Sequence, residues 1–139
     1  MVYLTRKAEF SASHYYHNPE FSPEENKRIF GKCNNPHGHG HNYALEVTVA
    51  GQVDPSTGMV CNLADLDAFI DKNILERFGH ENLNTLPEFN GAVPTTENLC
   101  IEIYHRLKKF PGARLERVRV QETSNNSFEY AGENGRERA

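Results

Sequence analysis

The chain has 139 residues, with 15 Lys and Arg against 19 Asp and Glu and a formal net charge of −4. That length supports one domain with a real core, and the acidic balance, with no block of Lys or Arg, excludes a nucleic-acid or anionic-membrane partner. No apolar run approaches the ~20 residues needed to cross a bilayer, the N-terminus starts on a strand-like pattern with no signal peptide, and three cysteines cannot all pair, which places reduced thiols in a cytoplasmic setting.

From Val2 to His14 the residues alternate, with Val2, Leu4, Ala8, Phe10, Ala12 and His14 on one face. That period of two predicts a half-buried strand carrying a histidine at the end of its inner face. Residues 15–38 read as a polar loop holding one short helix. Ser22 is its cap, Pro23 its first residue, Glu24 and Glu25 lie in its first turn, and Gly31 stops it. A second strand follows, with His39, His41, Tyr43, Leu45, Val47 and Val49 on one face, and Asp54 to Gly58 form a turn.

Asn62 caps a predicted helix that runs to about Phe78, with Leu63, Leu66, Ile70 and Ile74 at helical spacing and Gly79 at its stop. A second helix starts at Pro94-Thr95-Thr96-Glu97 and turns Leu99, Cys100, Ile103, Tyr104 and Leu107 to the core. Leu115 to Glu122 and Phe128 to Ala131 close the chain as a strand pair, and Gly132 to Ala139 read as a frayed polar tail. The order strand, strand, helix, helix, strand, strand, with no repeat and no linker, predicts a single α+β domain over 1–139 built on an antiparallel sheet.

The chemistry concentrates between Cys33 and Tyr43, where one thiol and three imidazoles fall within eleven residues. His39 and His41 are two apart on a strand and share a face. His14 ends the neighbouring strand, so three imidazoles can converge on a zinc ion and leave its fourth position open. Cys33 is either a fourth ligand, closing a structural site, or a reactive thiolate beside the metal; spacing leaves both open. His37 reads as a loop side chain outside the cluster, and His17 and His105 read as incidental. Glu122, in register with Val118 and Val120, is either one half of an ion pair or a carboxylate placed for a ligand. Thr95 and Thr96 are either a plain helix cap or donors to a ligand at the helix start.

Several segments together resemble the 6-pyruvoyl-tetrahydropterin synthase family. They are Phe10-Ser11-Ala12-Ser13-His14, the Gly31–Tyr43 run, Asp54-Pro55…Thr57-Gly58-Met59-Val60, His80…Asn82-Leu83, Thr95-Thr96-Glu97-Asn98 and Glu122-Thr123…Asn125-Asn126. The resemblance covers about Tyr3 to Gly132. It implies the tunnelling fold: a four-stranded antiparallel sheet with two helices on one face, three subunits joining their sheets into a barrel, two rings stacked as a homohexamer, and sites between subunits. It implies zinc on His14, His39 and His41, proton abstraction by Cys33, a relay at His80, a pterin held by Glu122, and a pocket lined by Thr95, Thr96 and Glu97. One departure stands out. The family commonly has Asp before the relay histidine, and this sequence has Gly79.

The activity so implied is a zinc-dependent lyase that converts 7,8-dihydroneopterin triphosphate to 6-pyruvoyl-tetrahydropterin with elimination of triphosphate. Two alternatives accompany it. One is the 6-carboxytetrahydropterin synthase branch of deazaguanine and queuosine biosynthesis, which acts on the same substrate and releases acetaldehyde. In that branch the cysteine stands closer to its His-x-His pair, and Cys33 precedes both His37 and His39 at compatible distances. The other is a non-catalytic oligomer that binds zinc and pterin.

Overall fold

In a computed structural model, which describes residues 1–133, β1 (Val2–His14) pairs antiparallel with β2 (His39–Gly51) along its whole length, from Val2 opposite Gly51 to His14 opposite His39. Alternation sets the two faces. Phe10, Ala12 and His14 on β1 and Tyr43, Leu45, Val47 and Val49 on β2 are buried, while Thr5, Lys7 and Glu9 are exposed on the other side. Two expected inner residues lie at the rim: Val2, 45% exposed, and Leu63 at the start of the helix that Asn62 caps, 39% exposed. β4 (Arg114–Thr123) adds antiparallel to β2, and β5 (Asn126–Tyr130) adds antiparallel to β4.

The inner face is covered by two helical segments. The first begins as α2 (Leu63–Ile70), with the Asn62 side chain accepting from the Ala64 and Asp65 N–H groups. It passes through a π-helical turn, Asp71–Leu75, and ends as α3 (Glu76–Phe78). The second is α4 (Thr96–Leu107), capped by Thr95. Leu66, Ile70, Ile74 and Phe78 from the first and Leu99, Ile103, Tyr104 and Leu107 from the second form one core with the strands. The loop helix α1 (Pro23–Phe30) has Ser22 as its cap and ends at Gly31, whose positive φ of 57° glycine adopts without a Cβ penalty.

Two features differ from the sequence expectation. The sheet gains a fifth strand, β3 (Glu81–Asn82), and runs in the order β3-β1-β2-β4-β5. The added β3 is parallel to Ala12–Ser13 of β1, and two residues are too few to carry a period. The helix expected to run unbroken from Asn62 to Phe78 widens at Asp71–Leu75. Its core residues Leu66, Ile70, Ile74 and Phe78 recur every fourth position, which overshoots a 3.6-residue turn by about 40° per step. The wide turn takes up that drift and keeps Ile74 and Phe78, each fully buried, on the core side.

The end of this helix is firmly held. Arg77 makes a two-pronged ion pair with Glu88, which Arg106 also reaches at 3.4 Å, and the Arg106 guanidinium stacks 5.4 Å from the Phe78 ring centre. The polar tail expected over Gly132 to Ala139 lies, beyond Glu133, outside the described residues. No helix among the described residues is long and apolar enough to cross a membrane.

Candidate active site

The antiparallel register that places His14 opposite His39 also brings in His41, two residues along the same face. One ring nitrogen from each of these three histidines lies within 4.8 Å of the others, with His14 Nε2 and His39 Nε2 3.2 Å apart. Burial, with the neighbouring imidazoles, holds the His14 ring down to about 4, and burial with His41 lowers His39. His14 is therefore neutral near pH 7, and in the tautomer that carries its proton on Nδ1 it has a lone pair at Nε2. On the other side of the ring, the Tyr43 hydroxyl meets His14 Nδ1 at 3.2 Å in a fully buried setting. A hydrogen bond there fixes the ring and leaves Nε2 to bind outward.

The donor set fits zinc. Zn–N bonds of 2.0–2.1 Å in a tetrahedron place ligand nitrogens about 3.3 Å apart, close to the His14–His39 separation. Three imidazoles suit a borderline-soft divalent ion and leave one position for a substrate oxygen.

Glu122 faces this cluster. Strand pairing between β4 and β5 shifts register between Gln121 and Thr123, so Glu122 has no cross-strand partner and its side chain is free to be re-aimed. Its Oε2 lies 3.8 Å from His14 Nε2 and 3.7 Å from His41 Nε2. The Thr96 hydroxyl donates to Oε2, Tyr16 Oη approaches the same oxygen at 3.5 Å, and the Asn126 side-chain amide donates to Oε1 at 3.1 Å. Burial disfavours the charge on this carboxylate. The hydrogen bonds from Thr96 and Asn126, with the nearby His41 and His14 rings, outweigh that and hold Glu122 below its ordinary value.

Cys33 sits on the 3-10 turn Gly31–Asn34 that follows α1. Two bonds tie this turn to the end of β1: the Tyr16 N–H donates to the Cys33 carbonyl at 2.6 Å, and the Asn34 amide donates to the Tyr16 carbonyl at 2.8 Å. Burial, with Glu122, pushes the Cys33 thiol up. A positive charge placed beside the thiol would favour its thiolate.

The remaining sequence-picked residues divide. Thr96 is buried and joined to Glu122, whereas Thr95 spends its hydroxyl accepting the Asn98 N–H as helix cap, and Glu97 is exposed on the first turn of α4. His80 is brought beside one member of the cluster, His41. It lines a recess of about 330 Å³ with Ser11, Ser13, Gly40, His41 and Asn42 at the end of the sheet. Ser11, Ser13 and Asn42 alternate with the core-facing residues and so point away from the helices.

Sequence reasoning passed over Tyr16 and Asn126 as site residues and counted Tyr43 only as core. Tyr43 continues the His39–His41 alternation and was findable from that period. Tyr16 lies beyond β1 and Asn126 is the first residue of β5, where no established period marks a residue.

Comparison with known proteins followed the same line. The family model described as 6-pyruvoyl tetrahydropterin synthase matches residues 3–133. The 6-pyruvoyl tetrahydrobiopterin synthase of Homo sapiens is 48% identical over 132 residues, 94% of this chain and 91% of that protein. The enzyme of the same name from Poecilia reticulata is 47% identical over 133 residues, 94% of this chain and 90% of that one. Among solved structures, the 6-pyruvoyl tetrahydropterin synthase of Caenorhabditis elegans superposes with a TM-score of 0.88 at 41% identity, covering 95% of this chain and 96% of that one.

Proposed function

The chain belongs to the 6-pyruvoyl tetrahydropterin synthase family, and from that premise we propose that it is a lyase, a single pterin-synthase domain converting 7,8-dihydroneopterin triphosphate to 6-pyruvoyl-tetrahydropterin with loss of triphosphate. The observation that carries the reading is that Glu122, a carboxylate anchored on both oxygens, shares one site with three histidines whose ligand nitrogens converge. One group recognises a ring with paired N–H donors; the other stands where the substrate's side chain would lie.

Each carboxylate oxygen has two lone pairs; Asn126 takes one on Oε1, while Thr96 and the longer 3.5 Å contact from Tyr16 meet Oε2. A pterin N–H and amino group would take the second lone pair of Oε1 and displace Tyr16 from Oε2. Thr95 and Glu97 flank this floor. His14, His39 and His41 would hold zinc, whose chemistry when bound is Lewis-acid polarisation of the side-chain hydroxyls and positive charge that favours a nearby thiolate. Cys33 takes a proton from the side chain as general base. His80 passes protons onward. His80 shares a recess with His41, and the site, as the resemblance implies, lies between copies of the chain. The assembly we propose is a cytoplasmic homohexamer, two stacked trimeric barrels, observable as a six-chain species in sedimentation; a stable monomer with full activity would contradict it.

The carboxy branch remains the second reading, through the shared substrate and the position of Cys33 near His37 as well as His39. The activity is tested by triphosphate release from dihydroneopterin triphosphate. Release is expected to cease on chelation and to return with added zinc; release that is indifferent to chelation would sink the metal's role. Thr96→Val tests the floor. Losing one hydrogen bond to a charged carboxylate, worth about 1.5–3 kcal/mol, is expected to raise KM by about tenfold or more with zinc content unchanged. An unchanged KM would show that Thr96 does not set the carboxylate.

A further inference from the structure

The corner that carries His80 collects three irregularities: a π-helical turn at Asp71–Leu75, a glycine at 79, and a positive φ of 61° at His80, the one non-glycine residue with positive φ among those described. Left-handed backbone is costly for a side chain with a Cβ, and such outliers persist where surrounding structure over-determines them. Here it does. The Gly79 N–H donates to the Leu75 carbonyl at 2.9 Å, and the His80 N–H donates to the Ser11 carbonyl at 2.5 Å. The chain beyond is bound to β1 through Glu81–Asn82, and then through Asn84, whose side chain bonds both the N–H and the carbonyl of Tyr15.

Within this corner, a Cβ at Gly79 would stand 2.5 Å from the Leu75 carbonyl oxygen. That oxygen is backbone, and it cannot readily retreat: Ile74 and Phe78 beside it are fully buried, and Arg77 is pinned to Glu88. Any side chain at 79, Asp included, therefore has to shift either the helix end at Leu75 or the turn that leads to His80.

We propose that Gly79 is a positioning residue for His80: the imidazole of this chain is aimed by backbone anchoring to Ser11 and a close glycine turn against Leu75, in place of a carboxylate on the preceding residue. Gly79 is then a requirement of this corner, and an Asp introduced there damages the relay. The proposal rests on the relay role given to His80 above.

The test compares Gly79→Ala, the milder variant with one added methyl, with Gly79→Asp, His80→Ala and the double variant Gly79→Ala/His80→Ala. Measured for each are kcat and KM for triphosphate release, bound zinc and the thermal midpoint. Both Gly79 variants are expected to lose tenfold or more in kcat, with KM within twofold and zinc unchanged, and to melt several degrees lower. In the His80→Ala background, Gly79→Ala is expected to cost no further kcat, because it acts through that ring. Gly79→Asp with a wild-type melting point and equal or higher kcat would overturn the proposal. So would a Gly79→Ala loss of the same size with and without His80. If the wild-type protein releases no triphosphate, the proposed activity fails by itself. The positioning is then judged by the His80 ring C–H resonance, identified by its absence in His80→Ala: a shift in Gly79→Ala supports it, and an unmoved resonance overturns it.

Discussion

Cys33→Ala is expected to lower triphosphate release by about 10²–10⁴-fold, the usual contribution of a positioned general base, while each chain still binds one zinc. The thiol sits on a turn fastened to Tyr16, with Glu122 close enough to push it up, yet the ligand atoms that converge among the described residues are those of His14, His39 and His41. A base near the metal but outside its ligand set loses catalysis when removed and leaves binding intact. Metal analysis alongside turnover separates the two roles: zinc lost together with activity would make Cys33 the fourth ligand and the site a closed structural one.

The second large effect is at the metal. His39→Ala is expected to weaken zinc binding by more than the 10–100-fold typical of losing an outer partner, and to abolish turnover at limiting zinc. His39 Nε2 is the nitrogen 3.2 Å from His14 Nε2, and two imidazoles leave a four-coordinate ion half-supplied. Titration of metal-free protein with zinc, read by competition with a chelating dye, measures this directly. Wild-type affinity in His39→Ala would remove the three-histidine centre from the account. Tyr43→Phe, which deletes only the hydroxyl on His14 Nδ1, gives the scale for an outer partner in the same experiment.

What was legible in the sequence was whatever a period or a cap encodes. Alternation in β1 and β2 placed His14, His39 and His41 on one face, and the observed register brings them together because the strands pair end to end. Asn62, Ser22 and Thr95 each cap the helix expected of them. Period-two counting also put Glu122 inward, but its freedom comes from a register shift opposite β5 that no side-chain pattern announces. The π turn was hidden in plain spacing: a repeat of four from Leu66 to Phe78 fits a helix well enough to mask the drift it accumulates. β3 is too short for a pattern, and it decides where His80 goes. Gly79 read from sequence was a missing Asp; its close approach to the Leu75 carbonyl is a property of packing and visible only in three dimensions.

The most direct test of the whole account is the identity of the product. Purified, zinc-loaded protein is incubated with 7,8-dihydroneopterin triphosphate under reducing conditions, and the pterin and small-molecule products are identified by mass spectrometry. The account predicts inorganic triphosphate and a tetrahydropterin that keeps its three-carbon side chain as a diketone. Acetaldehyde with a carboxypterin would contradict it in favour of the carboxy branch, and stoichiometric pterin binding with unchanged substrate would contradict catalysis altogether.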